Sequence, residues 1–265
     1  MMDEDIFNKK LFENKIAIVT GASSGIGEAT AIELAKSGCT VAICARRENE
    51  LKRVLKEVKK YASESMYKTC DVSKTEQIKD LVDAVYKKYG RIDILINNAA
   101  IVLVKPLGET SEDDFRTVVD TNYKNVVSFV KYTVPYMKKG SSIVNVASIS
   151  GHVGEINHAV YGGTKGAVIS LTRALAWELA PKGIRINSIS PGSIDTPMLH
   201  NDVAGEAKRR GVSPDVIRKE TENKIAIKRW ADPKEIAYGI VFFASEAASY
   251  VNGTDLLMDG GEAAG

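Results

Sequence analysis

Residues 15–29, KIAIVTGASSGIGEA, hold a short run rich in β-branched residues that ends in a glycine-rich turn and passes directly into a helical pattern. In such a turn Gly21, Gly25 and Gly27 let the backbone bend tightly and approach a pyrophosphate. The helix beginning near Gly25 offers free N–H groups and a partial positive charge to the same anion, with Ser23, Ser24 and Ile26 completing the cradle. A glycine-rich turn alone says little; its place after a first strand and before a first helix is what makes it a dinucleotide-binding candidate.

Outward from that turn the alternation continues. Lys15 to Thr20, Thr40 to Ala45, Ile92 to Ile96, Ser142 to Ala147, Arg185 to Ile189 and Asp255 to Met258 read as strands, with a weaker one at Ser65 to Thr69. Gly25 to Ser37, Glu48 to Tyr61, Lys74 to Tyr89, Glu112 to Lys138, Ala159 to Ala180 and Pro233 to Ser245 read as helices between them. Near-continuous apolar strands alternating with helices predict an α/β chain, a doubly wound, Rossmann-type parallel sheet of seven strands with helices on both faces. Ser193 to Lys228 is polar and interrupted by glycine, and reads either as a loose surface insertion or as a lid over the site at about residues 193–228.

The 265 residues suit one large core, so the reading is an N-terminal extension at 1–13 and a single domain at 14–265. Lys and Arg number 36 against 34 Asp and Glu, interleaved along the chain, which argues against nucleic acid as a partner. The opening residues are acidic, and the first apolar run, Ile16 to Val19, is too short for a signal peptide or membrane span; a cytoplasmic protein is expected. Cys39, Cys44 and Cys70 are odd in number and lie in or beside strand-like runs, so they read as core packing and neither as disulfides nor as a metal site.

At the end of the second strand, where a carboxylate would bind the adenosine ribose of NAD, stand Ala45 and then Arg46-Arg47. Two guanidiniums suit a 2′-phosphate, so NADP is the expected cofactor, with NAD as the second option. Asp71 and Val72 follow the third strand, where they either meet the adenine edge or cap the strand end. Asn98 and Ala99 close the fourth, at the carboxyl ends of the strands where such sheets bind ligands. Ser148 follows the fifth strand, and thirteen residues later Tyr161 and Lys165 stand one helical turn apart, on one face. A free phenol with a pKa of about 10 is a poor base at neutral pH, and a nearby ammonium would lower it into the working range.

These residues together resemble the short-chain dehydrogenases/reductases of the roughly 250-residue type, from about Asn14 to Gly261. The resemblance rests on Thr20 to Gly27, Asn97 to Ala99, Asn122, Ser148, Tyr161 with Lys165, Pro191-Gly192 with Thr196, and Asn252 to Gly261 taken in order. It implies a tetrad in which Tyr161 is the general acid or base and Ser148 holds the substrate oxygen. Lys165 would bind the nicotinamide ribose, and Asn122 would hold a water in the proton relay. It also implies that Pro191, Gly192, Ile194 and Thr196 border the nicotinamide carboxamide, and that the chain forms a homotetramer or homodimer. The expected reaction is hydride transfer between NAD(P) and an alcohol or carbonyl, a non-catalytic dinucleotide-binding regulator or an epimerase being the alternatives. Gly151 to His158 carries His152, Glu155, Asn157 and His158, so a sugar, polyol or small ketone is favoured, with a 3-oxoacyl substrate also in view. His152 and His158 are the substrate candidates there, a plain surface position being the rival reading.

Overall fold

The computed structural model describes residues 7–264. Seven parallel strands form one sheet: β1 (Ile16–Thr20), β2 (Thr40–Ala45), β3 (Met66–Thr69), β4 (Ile94–Asn97), β5 (Ser142–Val146), β6 (Arg185–Pro191) and β7 (Asp255–Met258). Their order across the sheet is β3-β2-β1-β4-β5-β6-β7. The chain winds outward from β1 to β3, then returns to place β4 against the other side of β1, so the carboxyl ends of these two strands diverge into a crevice. That reversal is where an open α/β sheet takes its ligand.

Alternation along β1 decides the two layers. Ala17 and Val19 face α1 (Gly25–Lys36), α2 (Glu48–Val58) and a later helix at Pro233–Ala244, through Leu34, Leu51, Val54, Ile240 and Phe243. Ile16 and Ile18 face the opposite layer, α3 (Thr75–Tyr89) and the helices at Asn125–Thr133 and Ala159–Leu179, through Leu81, Val85, Phe129 and Leu179. Successive strand residues point to opposite faces, so a strand covered on both sides must be apolar throughout, as all five residues of β1 show by being buried. The three cysteines are buried and unpaired. Of the proposed extension, the described part is packed: Phe12 is buried in the first layer and its N–H donates to the Ser37 carbonyl.

Two segments differ from the sequence reading. The expected single helix over 112–138 is α4 (Glu112–Val119), a π turn at Asp120–Lys124, α5 (Asn125–Thr133) and a 3-10 turn at Val134–Tyr136. Segment 193–228 is not loose: α7 (Pro197–Arg210) and α8 (Pro214–Lys224) pack on each other through Val203, Ala207, Ile217, Ile225 and Trp230. The long helix that carries the catalytic candidates is α6 (Ala159–Leu179), and the Pro233–Ala244 helix is α9. Among the described residues no helix is long and apolar enough to cross a membrane.

Candidate active site

The glycine turn crosses the carboxyl end of β1. Gly21 and Gly25 sit in the left-handed region at φ +66° and +59°, which a side chain would strain. At Gly27 an added Cβ would lie 2.4 Å from Asn98 Nδ2 and 2.5 Å from the Gly21 carbonyl oxygen, so the helix enters only because no side chain is there. Ser24 precedes α1 without a side-chain cap, its hydroxyl instead accepting from Arg47 at 2.8 Å, which leaves the first-turn N–H groups for an anion. Arg47 also donates to the Ser23 hydroxyl at 3.0 Å, so a cation stands over the turn. These features fit a dinucleotide pyrophosphate.

Around the turn the candidates separate into those that face the crevice and those that build it. Asn98 donates from Nδ2 to the carbonyls of Thr20 at 2.9 Å and Gly21 at 3.3 Å, while the N–H groups of Asn98 and Ala99 donate to Thr20 Oγ1. Asn98 therefore braces the backbone of the turn. Asp71 accepts from the N–H and hydroxyl of Ser73. Burial pushes its carboxyl up, but the Ser73 bonds and nearby Arg46 outweigh this and hold it below the ordinary value. Arg46 is exposed at the end of β2, and Val72 is buried beside Asp71. From the far side, the Thr196 methyl lies 3.0 Å from where a Cβ on Gly25 would be, bringing the chain after β6 against the turn. Thr196 caps α7, accepting from the Leu199 N–H at 3.4 Å, and Ile194 is buried.

Ser148, Tyr161 and Lys165 converge past the end of β5. Tyr161 is 9% exposed, Lys165 3% and Ser148 9%. The Lys165 ammonium donates to the Val146 carbonyl at 2.9 Å and lies 5.7 Å from the centre of the Tyr161 ring. Burial brings this lysine down to about 8. Burial also pushes the Tyr161 phenol up to about 12, a hydrogen bond with Ser148 acting the other way and the carboxylates of Glu155 and Asp202 adding to the rise. In the chain by itself, then, desolvation outweighs the lowering that the Tyr161–Lys165 spacing suggests, because both charged forms have lost water and the ammonium is turned to a carbonyl. Asn122 lies within the π turn and grips Ile101 from both sides, accepting from its N–H at 2.9 Å and donating to its carbonyl at 2.8 Å. A π turn inside a helix commonly marks a functional position.

The histidines divide. His158 ends the loop before α6, its ring 6.2 Å from that of Tyr161. His152 points elsewhere, to Asp255 at 2.8 Å and Ser190 at 3.2 Å, tying the loop to β7. Gly162 faces the Ser150 carbonyl, 2.6 Å from an added Cβ; Gly163 faces open space. Two polar groups at the site carry no sequence signal. Glu262 holds the Ser193 N–H at 3.1 Å from 69 residues away, and burial keeps its carboxyl above the ordinary value. Ser150 bonds to both Ser148 and Glu155. Only folding brings these together.

A family model described as enoyl-(acyl carrier protein) reductase matches residues 21–262. The chain is 36% identical over 251 residues to 3-oxoacyl-(acyl-carrier-protein) reductase FabG of Thermotoga maritima, covering 94% of this chain and 98% of that one. It is 35% identical over 254 residues to meso-2,3-butanediol dehydrogenase of Serratia marcescens, covering 96% of each. The crystal structure of an actinorhodin polyketide ketoreductase variant with NADPH superposes with a TM-score of 0.89 at 33% identity, covering 94% of this chain and 97% of that one. The chain belongs to the short-chain dehydrogenase/reductase family. It is an NAD(P)-dependent oxidoreductase of the kind that interconverts alcohols and carbonyls.

Proposed function

We propose that this enzyme is an NADP-preferring carbonyl reductase and alcohol dehydrogenase in which Tyr161 moves the proton. The observation that carries this is the convergence of Tyr161, Ser148 and Lys165, three polar side chains buried together beside the strand-end crevice. The nicotinamide supplies or accepts the hydride when bound. Ser148 would hold the substrate oxygen, Lys165, now on the Val146 carbonyl, would hold the nicotinamide ribose, and Asn122 would hold a water beside Ile101. A shift of the phenol from about 12 to near neutrality needs roughly 7 kcal/mol of added favour for the phenolate. One cation about 4 Å away supplies about 4 kcal/mol at an effective dielectric of 20, so Lys165 and the positive nicotinamide ring are both required.

Gly21, Ser23, Ser24, Gly25, Ile26 and Gly27 would hold the dinucleotide pyrophosphate, Asp71 and Val72 the adenine, and Ala99, Pro191, Gly192, Ile194 and Thr196 the nicotinamide end. Asn98 serves by fixing the turn. NADP preference is supported by Arg46 and Arg47, the latter already anchored on Ser23 and Ser24. The polar stretch 151–158 favours a sugar, polyol or small ketone, with the His158 ring against that of Tyr161 and His152 held on Asp255; the FabG likeness keeps a 3-oxoacyl thioester in the panel. We further propose a cytoplasmic homotetramer, or homodimer. Trp177 on α6 is 85% exposed, and β7 is an edge strand showing Leu256 and Leu257 to solvent, an edge that a second copy would cover.

The test is absorbance of the reduced nicotinamide with both cofactors over sugars, polyols, diketones and 3-oxoacyl thioesters. A substrate turned over faster with NADPH than NADH is expected, and Arg46→Ala should lower the NADPH-over-NADH ratio of kcat/KM by about tenfold or more, the weight of one charge-assisted contact. An unchanged ratio would remove the arginines from cofactor selection.

A further inference from the structure

Beside the tetrad runs a second line of hydroxyls that ends in a carboxylate at the surface. The Tyr161 phenol and the Ser148 hydroxyl are buried side by side, Ser148 favouring the phenolate. The Ser148 hydroxyl donates to Ser150 Oγ at 3.2 Å, and the Ser150 N–H donates back to Ser148 Oγ at 3.2 Å, fixing the pair. The Ser150 hydroxyl then donates to Glu155, in the exposed loop between Gly151 and His158. The three hydroxyls are buried or half-buried and the carboxylate is in water. Hydrogen bonds in such a chain polarise one another, and a terminal carboxylate orients every donor toward itself.

We propose that Ser150 and Glu155 form a proton path between Tyr161 and solvent, separate from the lysine side of the site. This rests on Tyr161 being the acid-base group. After a carbonyl has been reduced, Tyr161 is left as phenolate and must regain a proton before the next turnover. With product gone, Ser148 has no substrate oxygen to hold and gives its proton to the phenolate. Ser148 takes the proton of Ser150, Ser150 takes one from Glu155, and Glu155 takes one from water. One proton enters and one is delivered, with no change of oxidation state, and in alcohol oxidation every hop reverses. Ser150 and Glu155 act through Ser148 and touch no substrate. The titratable groups facing Glu155 are Asp202 on α7, Glu262 near the carboxyl end and Tyr161 at the start of α6, with the His158 ring beside Asp202. Because two of these are carboxylates, removal of one negative charge is a confounding effect that an uncharged Ser150 variant controls for.

The full-length enzyme is tested with NADPH and either 2,3-butanedione or acetoacetyl-N-acetylcysteamine, whichever turns over faster, as Glu155→Gln, Glu155→Asp and Ser150→Ala. The first turnover uses a proton already on Tyr161, so its rate in rapid mixing should stay within about twofold of the parent. Steady-state kcat for Glu155→Gln and Ser150→Ala should fall by about tenfold or more, the lower range of a proton-transfer contribution. High concentrations of formate or imidazole should restore it, and Glu155→Asp should keep most of it. Equal loss in first and later turnovers, or a kcat unchanged and indifferent to buffer, would overturn the path. Neither result bears on Tyr161 itself, whose replacement by phenylalanine must abolish even the first turnover; survival there would instead overturn the acid-base reading.

Discussion

Lys165 and Tyr161 each lose a charged form to burial, and the loss is written in opposite directions on their pKa values. For Lys165 the fall from 10.5 to about 8 is a stability statement. Below pH 8 folded and unfolded chains both carry the proton, so the penalty for a buried ammonium is fully present. From about 8 toward 10.5 only the unfolded chain keeps it, and the penalty is relieved as pH rises. Lys165→Met should therefore raise the stability at pH 7, by up to about 3 kcal/mol less what the Val146 bond contributed, seen as a higher Tm, with the advantage shrinking above pH 8 and turnover lost. Thermal unfolding across pH 6 to 10 reads this; a variant less stable than the parent by the same margin at every pH would show the ammonium to be no burden. Under the proposed role of Lys165, this burden is a trade of stability for activity. Its identity and spacing were legible in the sequence; its tie to Val146 was not, since a backbone carbonyl at a strand end leaves no mark in the residue string.

The elements show where periodic pattern suffices and where it stops. The five inner strands were visible because strands buried on both faces must be apolar along their length, while the edge strands β3 and β7, partly open to solvent, were placed by the helices that separate every pair of successive strands. The break in 112–138 was invisible because a π turn at Asp120–Lys124 needs no glycine or proline; Asn122 reaches Ile101 across space. Segment 193–228 lacks a stripe broad enough to read, yet α7 and α8 cover five buried residues between them. The two adjacent glycines of α6 make the clearest contrast. At Gly163 nothing lies within 4 Å of an added Cβ, so Gly163→Ala should stabilise the helix by up to about 1 kcal/mol. At Gly162 the same methyl would drive into the Ser150 carbonyl at 2.6 Å, displacing the turn that carries Ser148. Gly162→Ala should lower both Tm and kcat; a pair of variants with equal Tm would refute the assigned environments.

Over the whole molecule, function follows from where the sheet reverses direction. The turn after β1 and the strand end of β4 make the half proposed to bind the dinucleotide, and β5 with α6 brings the half proposed to move the proton to the same edge, with Thr196 closing the gap. The order of elements could be read from residues 15–29 outward, but the bracing by Asn98, Glu262 and Ser150 depends on contacts made by folding. The central claim is that one half binds and the other transfers a proton, and Tyr161→Phe separates them directly. Fluorescence titration with NADPH should give a Kd within about threefold of the parent, while kcat/KM for carbonyl reduction falls at least about a hundredfold, as expected for loss of a general acid. Turnover that survives the loss of that hydroxyl would contradict the account.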